Sequence, residues 1–523
     1  MASAAARILK KTTSLAGATF ASRLLGFLRE ILMANALGGG AAASAWSLAF
    51  KIPNLFRRIF GEGLIGTVLI PMMAQTIGRH GQENARKRFS TIFMWLSLIL
   101  CICSVAVSGI ALLLRPCFER EHLVLACELV PLLMPYCIFI CLVGVMTSIL
   151  NSVKVFFLPA VFSLLLNLCM IAALLWVCPL YTGEPFRMLS ALTYAVLLSG
   201  VLEFILLLML LKKYGFLPTL CGKLFRRLRA LKELWVLALP GLLGALAYQG
   251  SVLADGLIAA WISPYAAASL SYSERLIYLP VGVFAVAFGT VSLAEMSSLA
   301  QKRDYETLVS TQFSSLRFLL FLTVPLTAFM CLFHEEILRL VYFRGAFDER
   351  ALQETSQALF CYAFGIPAFS SMKVVLTGFY SRKDMKTPMV VSVSCMALNL
   401  VLNLLLMIPL KQGGIALATV IGSYLNNLIL LGLLQKELKC LPLGQLARFF
   451  SLVVLLSLPG LWPAKWLYGQ VNSRIGAVAG VGIFPSLAAA GFIFLAIFLI
   501  LAILLRIDEV KTFSNRIFRK KGV

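Results

Sequence analysis

The chain has 523 residues, 60% of them hydrophobic and only 13% charged, with a formal net charge of +23 and a mean hydropathy of +0.92. Soluble domains carry about 25% charged residues, so the composition excludes an ordinary globular domain and reads as an integral membrane protein. Zinc spacings and nucleic-acid motifs are missing, so the positive excess reads as Lys- and Arg-rich cytoplasmic loops facing anionic headgroups.

The N-terminus, MASAAARILKK, is basic, but the apolar stretch after it contains Arg23 and Arg29, unlike the apolar region of a cleavable signal. The first segment is therefore expected to be retained. About fourteen apolar segments are long enough to span a bilayer. The first six are Thr12–Leu37, Ala42–Gln75 (bent at Pro53), Phe89–Leu114, Leu123–Leu150, Phe157–Val177 and Leu189–Leu211. A basic linker, Lys212–Glu233, follows. The next six are Leu234–Trp261, Ala266–Leu299, Leu308–Phe333, Leu352–Phe379, Met389–Ile408 and Gly414–Leu434, and Phe449–Leu467 and Phe484–Leu505 close the chain.

With the N-terminus inside, alternate loops and the tail hold about 29 Lys and Arg on one side against about nine on the other, the bias of cytoplasmic loops. Both termini are therefore expected to be cytoplasmic. The thirteen cysteines are scattered, mostly in apolar segments, and read as small buried hydrophobes.

An internal repeat supports this layout. Lys51-Ile-Pro and Gly66-Thr-Val-Leu-Ile lie over Glu274-Arg275 and Gly289-Thr-Val-Ser-Leu at one constant offset. The expected fold is all-α: two six-helix lobes in a parallel pseudo-twofold repeat plus two C-terminal helices. The expected domains are 1–225, 226–445 and 446–523. Parallel-repeat transporters place their substrate between the halves.

The chemistry concentrates in Ser22–Arg58. Two membrane-length segments there carry Arg23, Arg29, Glu30, Lys51, Arg57 and Arg58. A charge at the membrane centre costs about 2.5–3.5 kcal/mol even on insertion scales, so these cations should face protein or water. On a wheel at 100° per residue, Lys51, Arg58 and Glu62 fall within about 40° of one another, with Arg57 on a neighbouring flank. Glu274 and Arg275 open the equivalent helix of the second half and, being adjacent, point about 100° apart. Snorkelling, or helix-start ion pairs at the surface, are the alternatives. A cationic cavity suits an anionic cargo.

Asp255, Asn399, Asn403, Thr419 and the backbone at Ile415 supply hard oxygen ligands that suit Na⁺; interhelical hydrogen bonding is the alternative. No organic cofactor is expected. The three histidines fall in or beside loops, and no P-loop is present, so neither catalysis nor ATP hydrolysis is expected.

Four motifs carry a resemblance: Ser22-Arg-Leu-Leu-Gly-Phe-Leu-Arg29, Ala49-Phe-Lys-Ile-Pro-Asn-Leu-Phe-Arg-Arg58 with Ile-Phe-Gly-Glu-Gly63, Tyr342-Phe-Arg-Gly-Ala-Phe-Asp348, and Phe379-Tyr-Ser-Arg-Lys-Asp-Met-Lys-Thr-Pro388. In these the chain resembles the MurJ (MviN) family of bacterial lipid II flippases, in the MOP exporter superfamily. The resemblance implies the two-lobe fold and a transporter rather than an enzyme. The implied transporter is a multi-pass protein of the bacterial inner membrane that moves lipid II, acts as a monomer and meets membrane lipids but no nucleic acid. It carries the family's cavity arginines onto Arg23, Arg29, Arg57 and Arg275, favouring Arg57 where the wheel favours Arg58. It also implies a Na⁺ site at Asp255, Asn399, Asn403, Ile415 and Thr419. Asn403 stands where relatives can carry a carboxylate, Ser44 where they often carry Asp, and Tyr278 where they can carry Glu. Two other readings are a multidrug exporter of the same superfamily, which needs an acidic cavity, and a lipid II-using glycosyltransferase, for which Glu335 or Glu336 is the best base on offer.

Overall fold

A computed structural model describes residues 21–219, 246, 249–438, 442–479 and 482–510. Among these residues every regular element is a helix. In chain order they are α1 (21–37), α2 (Ala41–Phe56), a π-helical turn (Arg57–Gly63), α3 (Leu64–Leu114), α4 (Glu121–Ser152), α5 (Phe157–Phe162), α6 (Leu165–Ala172), α7 (Pro185–Lys213) and α8 (249–262). Then come α9 (Ala266–Gln301), α10 (Tyr305–Leu332), α11 (His334–Val341), α12 (Glu349–Ala363), α13 (Ile366–Tyr380), α14 (Lys386–Leu438), α15 (Leu443–Ser457), α16 (Leu461–Ala479) and α17 (Ile483–Leu504). An all-helical chain is what lipid demands, because each helix satisfies its own backbone hydrogen bonds.

Among the described residues, eight helices are long and apolar enough to cross a membrane, or nine if the pair α12 and α13, bent by 42°, counts as one. Two of the eight are too long to be one span. Val68–Cys117 has 50 residues and Lys386–Leu438 has 53, about 75–80 Å of helix against about 30 Å of hydrocarbon. Each breaks where the sequence places a loop, at Gly81 (φ 79°) and Lys411 (φ 49°), so each covers two expected segments. Half of the seventh expected span (234–245, 247 and 248) lies outside the described residues, as do 12–20 of the first, 220–233 of the basic linker and 511–523 of the tail, so the figure of fourteen rests on the sequence.

Five helix ends share one solution. At Lys154, Gly215, Arg303, Lys383 and Arg506 the backbone turns left-handed, with φ of 66°, 75°, 58°, 65° and 54°. In each, the next residue donates to a carbonyl five residues back (Val155 to Leu150, Phe216 to Leu211, Asp304 to Leu299, Asp384 to Phe379, Ile507 to Ala502). This is the Schellman closure, usually built on glycine. Four of the five carry an exposed Lys or Arg instead, which complements the negative end of the helix dipole. All five close even-numbered expected spans, the ends that the loop charges place inside. Asp304 then caps α10, accepting from Thr307 N–H at 3.1 Å, and Asp384 caps α14, accepting from Lys386 and Thr387 N–H at 3.1 Å.

The chain forms two compact units, Met1–Ala268 with Arg344–Asp348, and Ser269–Phe343 with Glu349–Val523. The division at 268 differs from the expected 225: α8 clusters with the first unit. Helices α15–α17, expected as a separate pair, cluster with the second unit. They share its cores, in which Phe449, Val453 and Phe498 pack with Leu319, Leu320 and Phe379, and Phe494 and Leu487 pack with Phe333. Within lipid such packing works by van der Waals contact rather than by a hydrophobic drive. Arg317 adds an ion pair to Glu509 at 2.7 Å and lies 4.3 Å over the Phe449 ring, tying α10 to α15 and to the segment after α17. In the first unit, Ala346 N–H donates to Asn35 O at 2.9 Å, which docks the Arg344–Asp348 loop on the end of α1.

Candidate functional site

The first unit holds most of the expected cations. Along α1, Ser22, Gly26 and Arg29 recur at helical spacing and face Asn167 of α6. The Asn167 amide donates to Ser22 O at 3.3 Å and its oxygen accepts from Arg29 Nη1 at 2.9 Å. Gly26 lies beside it: a Cβ there would stand 3.8 Å from Asn167 Oδ1, an ordinary contact. Arg29 Nη2 pairs with Glu30 Oε1 at 2.7 Å, and both residues are buried, 7% and 8% exposed. Adjacent helix residues ordinarily point apart; here the long Arg29 side chain turns back toward Glu30. A buried pair of this kind persists only with further hydrogen bonds, and Asn167 supplies one. Arg29 Nε is buried without a hydrogen-bond partner among the described residues. Arg23, two turns earlier, is exposed.

On α2, Lys51 is half-buried and reaches α8, where a Cβ on Gly256 would stand 2.7 Å from its Nζ. Its ammonium therefore rests against the residue that follows Asp255, itself half-buried. Pro53 lacks an N–H and breaks the i−4 ladder, and the helix turns π from Arg57 to Gly63. Such segments concentrate at functional sites. The turn corrects the wheel that grouped Lys51, Arg58 and Glu62, because 100° per residue does not carry across a π segment. Arg57 is half-buried with its Nε 3.4 Å from Asn54 Oδ1, while Arg58 is exposed.

Ser44, where relatives often carry Asp, is fully buried. Its Oγ accepts from Ala268 N–H at 3.1 Å, and Ser47 Oγ donates to Ala267 O at 3.4 Å. Both hydroxyls hold the first turn of α9, so Ser44 serves as an end cap supplied by another helix.

The second unit carries Glu274, half-buried, and Arg275, exposed, in α9. Their helix is pinned by Ser273 Oγ donating to Thr355 O at 3.0 Å, with Thr355 Oγ1 donating to Ser269 Oγ at 3.3 Å. Tyr278 is exposed, and its ring stacks on Phe369 at 5.9 Å. Four of the five expected ion ligands also lie here, on the two arms of α14. Asn403 Nδ2 donates to Asn399 Oδ1 at 3.2 Å, Asn399 Nδ2 to Thr419 Oγ1 at 3.4 Å, and Thr419 Oγ1 to Ile415 O at 3.1 Å. Asp255 belongs to the first unit. Asn399 and Asn403 are buried, 6% and 0% exposed. In α11, Glu335 pairs with Arg339 at 3.0 Å, and Glu336 pairs with Lys465 of α16 at 2.5 Å, so neither carboxylate is set up as a base.

Sequence reading missed two residues, Asn167 and Glu203. Asn167 is the one amide of the short apolar helix α6, and Glu203 is the one acid of α7; an ionisable residue inside a membrane segment marks a functional residue by default.

Comparison with known proteins agrees with this layout. The family model for "Lipid II flippase MurJ" matches residues 33–472. The "Probable lipid II flippase MurJ" of Rhizobium tropici is 34% identical over 428 residues, 80% of this chain and 79% of that one. The "Lipid II flippase MurJ" of Burkholderia cenocepacia is 28% identical over 460 residues, 85% and 87% of the two chains. Among solved structures, a lipid II flippase MurJ in an inward closed conformation superposes with a TM-score of 0.77 at 22% identity, covering 94% of this chain and 99% of that one. An inward-facing multidrug resistance MATE transporter of the MOP superfamily superposes at 0.62 with 16% identity, covering 80% and 95%; both likenesses bear on the fold. With the family model spanning most of the sequence and a relative one-third identical across four-fifths of it, the chain belongs to the lipid II flippase MurJ family.

Proposed function

We propose that this protein is a lipid II flippase: it carries undecaprenyl diphosphate-linked disaccharide-pentapeptide from the cytoplasmic to the periplasmic leaflet of the bacterial inner membrane, for cell wall synthesis. Lipid alone cannot do this quickly, because diphosphate and sugars would have to cross hydrocarbon without hydrogen-bond partners. The observation that carries the reading is the cation set of the first unit. Arg29, Lys51 and Arg57 stand on α1, on α2 and on the π turn that follows α2, buried or half-buried. A multidrug exporter of cations needs the opposite sign, and a glycosyltransferase needs a base that the paired Glu335 and Glu336 do not offer.

In the proposed cycle, Arg29 and Arg57 of the first unit and Arg275 of the second contact the diphosphate, which a guanidinium can grip with two parallel bonds. Arg23, Lys51, Arg58 and Glu274 shape the surrounding field. The polyprenyl tail stays in lipid, against the outer faces of α15–α17. Access alternates between the two leaflets, and membrane potential or an ion gradient resets it. The oxygens of Asn399, Asn403, Thr419 and Ile415 suit Na⁺ in kind, with Asp255 as the carboxylate; holding the ion requires the Asn399 oxygen to turn from the hydrogen bond that it accepts from Asn403 Nδ2. The protein acts as a monomer with both termini cytoplasmic. The charge bias of the loops and the basic helix closures support that orientation.

Purified protein in liposomes should move labelled lipid II between leaflets without changing its mass. Movement of an organic cation instead, or a change in lipid II mass, would overturn the proposal.

A further inference from the structure

Gly256 has no part in the scheme above. It is buried in α8, and the Lys51 side chain takes the space that a side chain of its own would fill. A Cβ at 256 would stand 2.7 Å from Lys51 Nζ, 3.3 Å from Lys51 Cδ and 3.4 Å from Leu48 Cδ2. The first of these is closer than van der Waals contact allows. Leu48 and Lys51 are one turn apart on α2, so one ridge of that helix crosses α8 at this glycine. Gly250, the other described glycine of α8, is exposed, and a Cβ there would meet nothing within 4 Å. The need for a missing side chain is therefore particular to 256.

Neither helix is placed to give way. One turn past Gly256, the last carbonyls of α8 are held from the start of α4: Arg120 Nη1 donates to Trp261 O at 2.6 Å and His122 Nε2 to Ala260 O at 2.8 Å, with Arg120 5.4 Å over the Trp261 ring. Helix α2 leans on the same α4, where Phe50, stacked on Trp46 at 5.2 Å, meets Tyr136 at 6.4 Å. Lysine, by contrast, carries its ammonium on a flexible four-carbon stem. A methyl group at 256 would therefore be accommodated by moving the Lys51 ammonium rather than the helices, and every charge would remain.

We propose that Gly256 is a positioning residue for Lys51: it is the notch in which the lysine side chain lies across α8, and it fixes where the ammonium stands relative to the anionic cargo. The inference rests on the lipid II reading. A lysine is a point charge on a flexible stem, so the place of the charge is set by what the stem lies against. Arg29 takes its place from Asn167 and Glu30 through hydrogen bonds. For Lys51 the surface of α8, left bare at 256, supplies the place.

The test measures lipid II affinity by native mass spectrometry and transport in liposomes for G256A, K51A and the double variant. G256A keeps every charge, yet should lower affinity about five-fold, the upper worth of a partly exposed ion pair, and slow transport. K51A should lower affinity at least as much. In the K51A background, G256A should change affinity no further, whereas an effect passing through the neighbouring Asp255 would persist. G250A is the control and should bind and transport normally. Wild-type affinity in G256A or in K51A, or an equal loss from G256A with and without Lys51, overturns the proposal. Thermal melts in detergent without cargo give an independent arm. Alanine favours a helix over glycine, so G256A should raise the melting temperature in the K51A background and raise it less, or lower it, in the wild-type background; equal shifts in the two also overturn the proposal. If wild-type protein neither binds nor moves lipid II, the lipid II reading falls, while the melts still judge the Gly256–Lys51 coupling.

Discussion

Asn167→Ala probes the buried end of the cation set. The change deletes two bonds, the one from Arg29 Nη1 at 2.9 Å and the one to Ser22 O at 3.3 Å. The first is charge-assisted and contributes about 1.5–3 kcal/mol; the second is neutral and long, and contributes about 0.5–1 kcal/mol. The sum, about 2–4 kcal/mol, approaches the cost of stranding part of a buried guanidinium, because Glu30 alone then answers Arg29. Asn167→Asp separates stability from function. It keeps an acceptor for Arg29 and adds a negative charge but loses the donor to Ser22 O, so it should melt above Asn167→Ala. It should also lower lipid II affinity, because Arg29 is then neutralised twice. Both variants are read by thermal melting in detergent and by lipid II transport in liposomes. A wild-type melting temperature for Asn167→Ala would refute the clamp, and unchanged lipid II affinity for Asn167→Asp would refute the claim that Arg29 faces the anion.

Ala at Arg29, Arg57 or Arg275 should abolish lipid II transport while the protein still inserts, and Lys should restore only part of it, because Lys keeps the charge but not the planar fork; Arg187→Ala, at an exposed pair with Glu184, is the control and should transport normally. A reporter fused after Lys521 should be active only in the cytoplasm, and periplasmic activity would mean an odd number of spans. Asp255→Asn should remove any stabilisation by Na⁺ relative to K⁺ in thermal melts; a wild-type melt indifferent to the two ions would leave Asn399, Asn403 and Thr419 as helix–helix contacts. Lys383→Gly should stabilise by about 1 kcal/mol or less, since glycine tolerates the left-handed turn at φ 65° that lysine adopts at a cost; a lower melting temperature would show that the Lys383 side chain contributes more than its backbone strain costs.

Much of this protein was legible along the chain, because the information is local. Spans show as runs of apolar residues whose length is set by bilayer thickness. The loops between them show as Lys and Arg at the ends, and the breaks at Gly81 and Lys411 fall where those loops were expected. The motifs around Arg29, Arg57 and Lys383 needed no three-dimensional argument to suggest the family. What tertiary structure alone decided is which helix faces meet. Arg29 and Asn167 are 138 residues apart, and Ser44 caps a helix that begins more than 200 residues later. Neither pairing has a periodic signature, since each depends on how neighbouring helices are rotated. The wheel and the observed burial differ at Arg57 and Arg58 for a related reason. A wheel assumes an unbroken i−4 ladder, and the π turn after Pro53 resets the phase of every side chain beyond it. Glu203 was visible as a lone acid in an apolar helix, but its burial, one turn after the close approach that Gly200 allows between α7 and α4, is a matter of tertiary packing.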